Sequence, residues 1–300
     1  MKSVFYLVLF VTVAAWVNSG SAHAQDSLQS NNRIVEVSLN FGGGTFRNSH
    51  FSYDELKRFY PESSILDQMS GAGVDYYDSE ANGFSSVQLT MGVFSNHPRY
   101  LNARHLTGWR FGISYQQFNL LNYSSYDEFS DRQDTLYNQN GNVIGYMDSI
   151  FYYDRKLKLQ SGIIALESAY LIRFNGFKRW SYFLGIGISG GMTVRNEMLL
   201  RQDMYSGTKT YDLLNGSEYS WSQKKDNSYL SEIKQMSSDV AIGGFIPFGL
   251  DFKFTRKQRG FDFMHLFIEG RSGIHFIKMK GLRTSVGTTM LLSLGIRTIL

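Results

Sequence analysis

The final fifteen residues constrain the fold more than any other part of the chain. From Val286 to Leu300 one face reads Val286, Thr288, Met290, Leu292, Leu294, Ile296, Thr298 and Leu300, apolar or threonine throughout. The other reads Gly287, Thr289, Leu291, Ser293, Gly295, Arg297 and Ile299, small, mixed and charged once. A period of two over this length predicts a β-strand, because successive side chains leave a strand on opposite faces. An apolar row backed by a small polar row suits a strand with lipid on one side and a crowded lumen on the other.

Similar alternation recurs near 33–43, 85–95, 106–120, 157–174, 180–195, 242–255 and 262–275. Each segment is long enough to cross a bilayer at a tilt, which takes about 9–11 residues. The connectors at 44–84, 121–156 and 196–241 are long, whereas those at 96–105, 175–179 and 256–260 are short. Outer-membrane barrels have this asymmetry, with short periplasmic turns and long outside loops. The expected fold is therefore all-β: an antiparallel, up-and-down transmembrane β-barrel of about eight strands with long extracellular loops. Ten strands also fit, because Asn140-Gly141 between two apolar stretches is a hairpin signal that either extends the third and fourth strands or adds a new pair.

The N-terminus suggests the route to that membrane. Lys2, the apolar run from Val4 to Val17 and the small-residue site Ala22-His23-Ala24 predict a cleavable signal peptide over residues 1–24, leaving 25–300 as the barrel domain. After the signal no apolar run approaches the ~20 residues of a spanning helix. A mean hydropathy of −0.24 is compatible with a barrel, whose apolar residues are hidden in alternation. The mature charge is 29 basic against 26 acidic residues, or +3, too mild for a nucleic-acid surface. The absence of cysteine excludes disulfides and a lipid-modified N-terminal Cys.

Energetics orient the barrel wall. Lys or Arg facing lipid near the midplane costs about 2–4 kcal/mol, so Arg110, Arg271 and Arg297 are expected to point inward. Glu36, Glu167 and Glu269 share that parity and compensate them, with Glu36 on the first strand beside Arg297 on the last. His265 joins the same inward row, giving an expected lumen network of Glu36, Arg110, Glu167, His265, Glu269, Arg271 and Arg297. Trp109, Trp180, Tyr182, Phe254 and Phe261 are placed at the periplasmic interface, and Tyr115, Tyr123, Tyr152 and Tyr153 at the outer one. Basic turns at Arg99 and Arg104, Lys178 and Arg179, and Arg256, Lys257 and Arg259 offer contacts to a periplasmic partner.

The long connectors carry local signals. Ser52-Tyr53-Asp54-Glu55 is a capping box that starts a helix, Pro61 stops it, and a second short helix fits Ser64–Met69. The polar stretch 197–236 is expected to be a mobile loop. Pro247 conflicts with the middle of a strand, which predicts a bulge at Gly243-Gly244 or a later strand start.

Catalytic and cofactor motifs are weak. Gly185-Ile186-Gly187-Ile188-Ser189-Gly190 matches a dinucleotide fingerprint, and the overlapping Gly187–Gly191 a serine elbow, but no helix is expected to follow either. No compact His or carboxylate cluster predicts a metal, and no serine is paired with His265 in sequence. The reading is a non-enzymatic protein without a cofactor.

The stretches Trp180–Ser189, Ile246–Phe254 and Leu292–Leu300 resemble the small bacterial outer-membrane β-barrel domains of the OmpA-transmembrane or PorT-like kind. The resemblance covers nearly all of the mature chain. It implies a monomer in outer-membrane lipid, inserted by the outer-membrane assembly machinery, although Leu300 stands where that family usually has an aromatic. The function expected is that of a barrel with a plugged lumen, acting through its loops as a structural, adhesive or binding protein with a periplasmic or extracellular partner. A narrow channel or transporter, and a lipid-modifying enzyme centred on His265, are the alternatives.

Overall fold

The computed structural model describes residues 33–48, 51–69, 82–95, 105–175, 179–212, 217–224, 229–237, 239–254 and 264–299. The signal segment 1–24, the basic turn residues apart from Arg179, and Phe261 lie outside these.

Ten strands form in chain order: β1 Arg33–Asn48, β2 Asn82–Ser95, β3 His105–Tyr137, β4 Val143–Phe174, β5 Trp180–Asp212, β6 Ser217–Lys224, β7 Tyr229–Gln235, β8 Val240–Lys253, β9 Met264–Ile277 and β10 Ser285–Ile299. Eight of them close a ring, in the order β1, β2, β3, β4, β5, β8, β9, β10 and back to β1, every pairing antiparallel. The register fixes the stagger. Val37 faces Met91, which faces Phe111, then Ser168, Ile188, Gly244, Ile274 and Thr288, and Thr288 faces Arg47. One circuit therefore climbs ten residues along β1, from 37 to 47. A stagger of this size on eight strands tilts them by about 40° and leaves an interior that side chains can fill.

The wall separates its two faces by parity. Outward residues include Phe41, Met91, Phe111, Ile113, Leu166, Leu184, Ile186, Ile188, Leu250, Ile268, Met290 and Leu294, all exposed. Inward residues are buried and largely polar below the mouth. A predominantly apolar exterior on a closed sheet is a lipid-facing belt, since a closed ring has no free strand edge.

Three strands overshoot that belt. β3 and β5 have 33 residues and β4 has 32, where a crossing needs about 11. Their outer halves form a sheet beyond the ring, in the order β3, β4, β5, with β6 and β7 laid in turn on the free edge of β5. β6, β7 and β8 are successive pieces of one return path along β5. The stretches 121–156 and 197–236 are thus not loops: 121–137, 143–156, 197–212, 217–224 and 229–235 are strand. Asn140-Gly141 turns the β3–β4 hairpin, with Gly141 at φ 78° and the Asn138 side chain accepting from the amides of Asn140 (3.0 Å) and Asn142 (2.9 Å). It extends the two strands and adds no pair to the ring.

Two bulges aim the overshoot. Leu120 is skipped where Asn119 faces Gln160 and Leu121 faces Leu159; Val194 is skipped where Gly162 faces Arg195 and Ile163 faces Thr193. Each extra residue inverts the parity of its strand. Below the bulge in β3 the even residues point inward; beyond it Leu121, Tyr123 and Ser125 do.

Pro247 is tolerated without the bulge or late start its sequence suggests. β8 runs through it in constant register, and the pairing with β5 simply omits Ile246 and Pro247 between Phe245–Gly187 and Phe248–Leu184. The missing amide falls on that side, while pairing with β9 continues through Pro247–Arg271.

Among the described residues between β1 and β2 there are two short helices, α1 Tyr53–Phe59 and α2 Ser64–Met69. The capping box at α1 is formed in both directions, Glu55 N–H to the Ser52 hydroxyl (3.3 Å) and Ser52 N–H to the Glu55 carboxylate (2.9 Å). Phe51, Leu56, Ile65, Leu66 and Met69 are buried against Phe46, Phe118, Leu121, Leu157, Met198, Leu200 and Ile277. Burying each such side chain stabilises by about 1.5–3 kcal/mol before ordering entropy is charged against it. The helices thereby cap the outer mouth of the ring with an apolar core.

Candidate functional site

Beneath this cap the lumen holds two charged clusters, each with two arginines and two carboxylates. Alternation brings the charged members inward from six strands, and the tilt decides which strands meet at one height.

The cluster nearer the short-turn end is built on Glu36 of β1. Arg173 of β4 donates to both its carboxylate oxygens, at 2.9 and 3.0 Å, and Arg297 of β10 lies 3.2 Å away. Arg297 also donates to Asp251 of β8, which accepts from the Ser181 hydroxyl at 3.0 Å. His265 Nδ1 sits 3.2 Å from both Asp251 Oδ1 and Arg297 Nη2, and its Nε2 has no partner among the described residues. Ser181 thus bonds the carboxylate, not the imidazole, so Ser181, Asp251 and His265 are not ordered as a nucleophile, a base and its orienting acid.

The central cluster is built on Glu269 of β9, which has no exposed surface. Arg110 of β3 donates to both its oxygens, at 2.6 and 2.9 Å, and Arg271 donates from its own strand. Arg271 also reaches Glu167 of β4 at 2.6 Å, and Glu167 accepts from Gln116 at 3.0 Å. Asn40, Gln88, Ser38, Thr90 and Ser293 continue the polar packing on β1, β2 and β10. Each cluster sums to zero charge with His265 neutral. Charge-assisted, bidentate pairs of this kind are the strong form of the contact and offset the cost of burying the ions.

All seven residues read from sequence lie in these two clusters; Arg297 faces Ser38 across the closing strands and reaches Glu36 diagonally at 3.2 Å. Arg173 and Asp251 belong to them as well and were not singled out. Their parity marks them as inward, but partner choice depends on the tilt of a closed ring. The space left among Glu36, Ser38, Arg110, Arg173 and Arg297 is a cavity of about 10 Å³, the size of one water. Glycines make room for the remaining apolar packing: a Cβ on Gly187 would meet the Phe245 ring at 2.5 Å, and one on Gly295 the Phe267 ring at 2.4 Å. The glycines of the fingerprint-like stretch are therefore part of a continuous strand wall.

The interface aromatics divide. Trp109, Trp180, Tyr182 and Phe254 are exposed on the outside near the short turns, and Tyr115 near the opposite edge of the belt. Tyr123, Tyr152 and Tyr153 do not form an outer girdle. The bulge at Leu120 turns Tyr123 inward, where its hydroxyl donates to the Phe51 carbonyl at 3.0 Å. Tyr152 stacks on Tyr126 and Tyr153 lies by Arg155, both in the overshooting sheet. That sheet grips the cap: Arg155 bonds Asp127, Gln202 and Gln68; Glu232 accepts from Ser64; and Lys234 pairs with Glu62 at 2.7 Å. Lys234 holds the Glu62 carboxyl below its ordinary range. No group of three or more His, Cys, Asp or Glu that could hold a metal occurs among the described residues.

No family model and no curated protein matches the chain. Among solved structures it is similar to Neisserial surface protein A, at 12% identity over 88% of this chain and 96% of that one, with a TM-score of 0.34. It is similar to Ail, the attachment invasion locus protein of Yersinia pestis, at 10% identity over 89% and 99%, with a TM-score of 0.23. The translocator domain of the autotransporter NalP from Neisseria meningitidis gives 13% identity over 96% of each chain and a TM-score of 0.21. The barrel fold of the present chain rests on its own closed ring of pairings.

Proposed function

We propose that this is an outer-membrane barrel of the OmpA-transmembrane or PorT-like kind, exported by a cleaved signal peptide, monomeric, non-enzymatic and closed to transport. It acts through the sheet that β3 to β7 raise beyond the membrane, as an adhesive or binding surface. The observation that carries this reading is where the chain spends its residues: about two-thirds of β3, β4 and β5 lies beyond what a crossing needs, and the paired charges of the two lumen clusters support a closed interior. Beyond Ser124 the far edge of β3 has no strand partner among the described residues, and Tyr126, Phe129 and Tyr137 are exposed along it. Exposed aromatics beside an open strand edge favour protein recognition.

Two measurements test the proposal. In planar bilayers the purified barrel is expected to give no steady conductance; open-channel steps in wild type would refute the closed lumen. On protein and glycan arrays the full barrel is compared with one whose strands are shortened to the ring by joining β3 to β4 and β5 to β8 at membrane height. Binding lost with the sheet supports the surface reading, and equal binding by the shortened barrel removes it.

A further inference from the structure

Immediately beyond the apolar belt, on the side of the overshooting sheet, the outer wall carries an arc of cations. Arg47 stands on β1 beside Thr288, just past Met290. Lys278 follows Phe276 and the end of β9, where its amide donates to Val240 at 3.0 Å, and Lys280 continues the same turn. Arg195 follows Val194 on β5, and Lys158 faces Leu199 from β4, slightly higher. With the stagger of the ring taken into account, these positions lie within a few residues of one height. All five side chains are exposed.

Among the described residues the acids at that level on the wall strands are two. Glu197 is buried and bound to Arg195, and Asp239 is half-buried at the start of β8. Arg47, Lys158, Lys278 and Lys280 have no carboxylate within 4.0 Å among the described residues. Side chains of this length held where a lipid-facing wall ends sit at headgroup depth, with their methylene stems on apolar neighbours and their charges in the headgroup layer. Uncompensated cations there attract anionic lipid, by a factor of about five for each Lys or Arg near the surface.

We infer that this arc binds the phosphate groups of the lipids in the leaflet that meets the sheet side of the barrel. The inference rests on the membrane reading of the apolar wall and is independent of what the sheet itself binds. The ligand is a lipid because the cations continue the belt: an acyl chain lying on Met290, Phe276 and Val286 brings its own headgroup to Arg47 and Lys278. Arginine and lysine donate to phosphate oxygens by charge-assisted hydrogen bonds, and Thr288 adds a hydroxyl between two of them.

Native mass spectrometry of the full barrel in detergent tests this, using a bis-phosphorylated glycolipid and the same lipid with its phosphates removed. Wild type is expected to bind the phosphorylated form at least tenfold more tightly, with the preference falling several-fold as ionic strength is raised. The variant Arg47→Gln, Lys158→Gln, Lys278→Gln and Lys280→Gln should lose the preference. A charge-conserving variant, Arg47→Lys, Lys278→Arg and Lys280→Arg, should keep it and covers the case in which the neutral variant does not fold. Equal wild-type binding of the two lipids overturns the inference. So does full competition by millimolar inorganic phosphate, which would make this a site for a free ion. Conductance and array binding are read separately, so failure here is distinguishable from failure of the proposed function.

Discussion

Glu269→Gln tests whether charge balance holds the lumen together. Glu269 is fully buried and accepts from Arg110 at 2.6 and 2.9 Å and from Arg271 as well. The substitution preserves shape but removes one of two carboxylates facing two arginines, and it turns an amide N–H toward guanidinium donors. An uncompensated buried charge costs about 3–5 kcal/mol, which is roughly a thousandfold in the folding equilibrium at the middle of that range. The assay is urea unfolding in lipid vesicles, followed by tryptophan fluorescence and by the gel mobility of unboiled protein. The double variant Arg110→Leu with Glu269→Leu makes the reasoning sharper. It leaves Arg271 with Glu167 as a balanced pair, so it should lose at least 2 kcal/mol less than the sum of its single variants. A Glu269→Gln protein within about 1 kcal/mol of wild type, or strictly additive single variants, would refute the argument.

Three further expectations follow from named contacts. Tyr123→Phe strands the buried carbonyl of Phe51 and should cost about 1–3 kcal/mol, seen as faster proteolysis within residues 51–69. Pro247→Ala supplies an amide facing the gap in the β5–β8 ladder, and hydrogen exchange at position 247 should be protected; free exchange there would show that the gap has another cause. Lys234 lowers the Glu62 titration, so the link between the segment before α2 and β7 is present above the ordinary carboxylate range and lost as pH falls through the depressed midpoint. In Lys234→Gln the Glu62 midpoint, read by carbon NMR, should move up, with little change in global stability because the pair lies at the surface, with Glu62 60% and Lys234 36% exposed.

Much of the ring was legible because a strand has a period of two and a bilayer enforces it. The parity of Met290, Leu292 and Leu294 against Ser293, Gly295 and Arg297 assigned two faces before any fold was known. The α1 start was equally local, since a capping box is a contact between residues three apart. Pro247 misled, because only the pairing on both sides reveals that its missing amide falls in a gap. Tyr123 misled because one extra residue at Leu120 inverts everything that follows, and nothing in the composition of that stretch announces a bulge.

The polar stretch 197–236 is ambiguous in sequence for a related reason. Its Tyr, Ser and Asn are compatible with a solvated loop and with a strand exposed on both faces, and only the partners β4, β6 and β7 choose between them. Within the ring, below the bulges, the sequence by itself determined which residues face lipid and which face the lumen, because that depends on alternation and on the cost of a charge in hydrocarbon. Tertiary structure alone decided that Arg173 meets Glu36, that Arg110 meets Glu269, and that three strands continue past the membrane. Those outcomes depend on the ten-residue stagger of the closed ring and on two single-residue bulges, which are properties of strands paired together and of no strand alone.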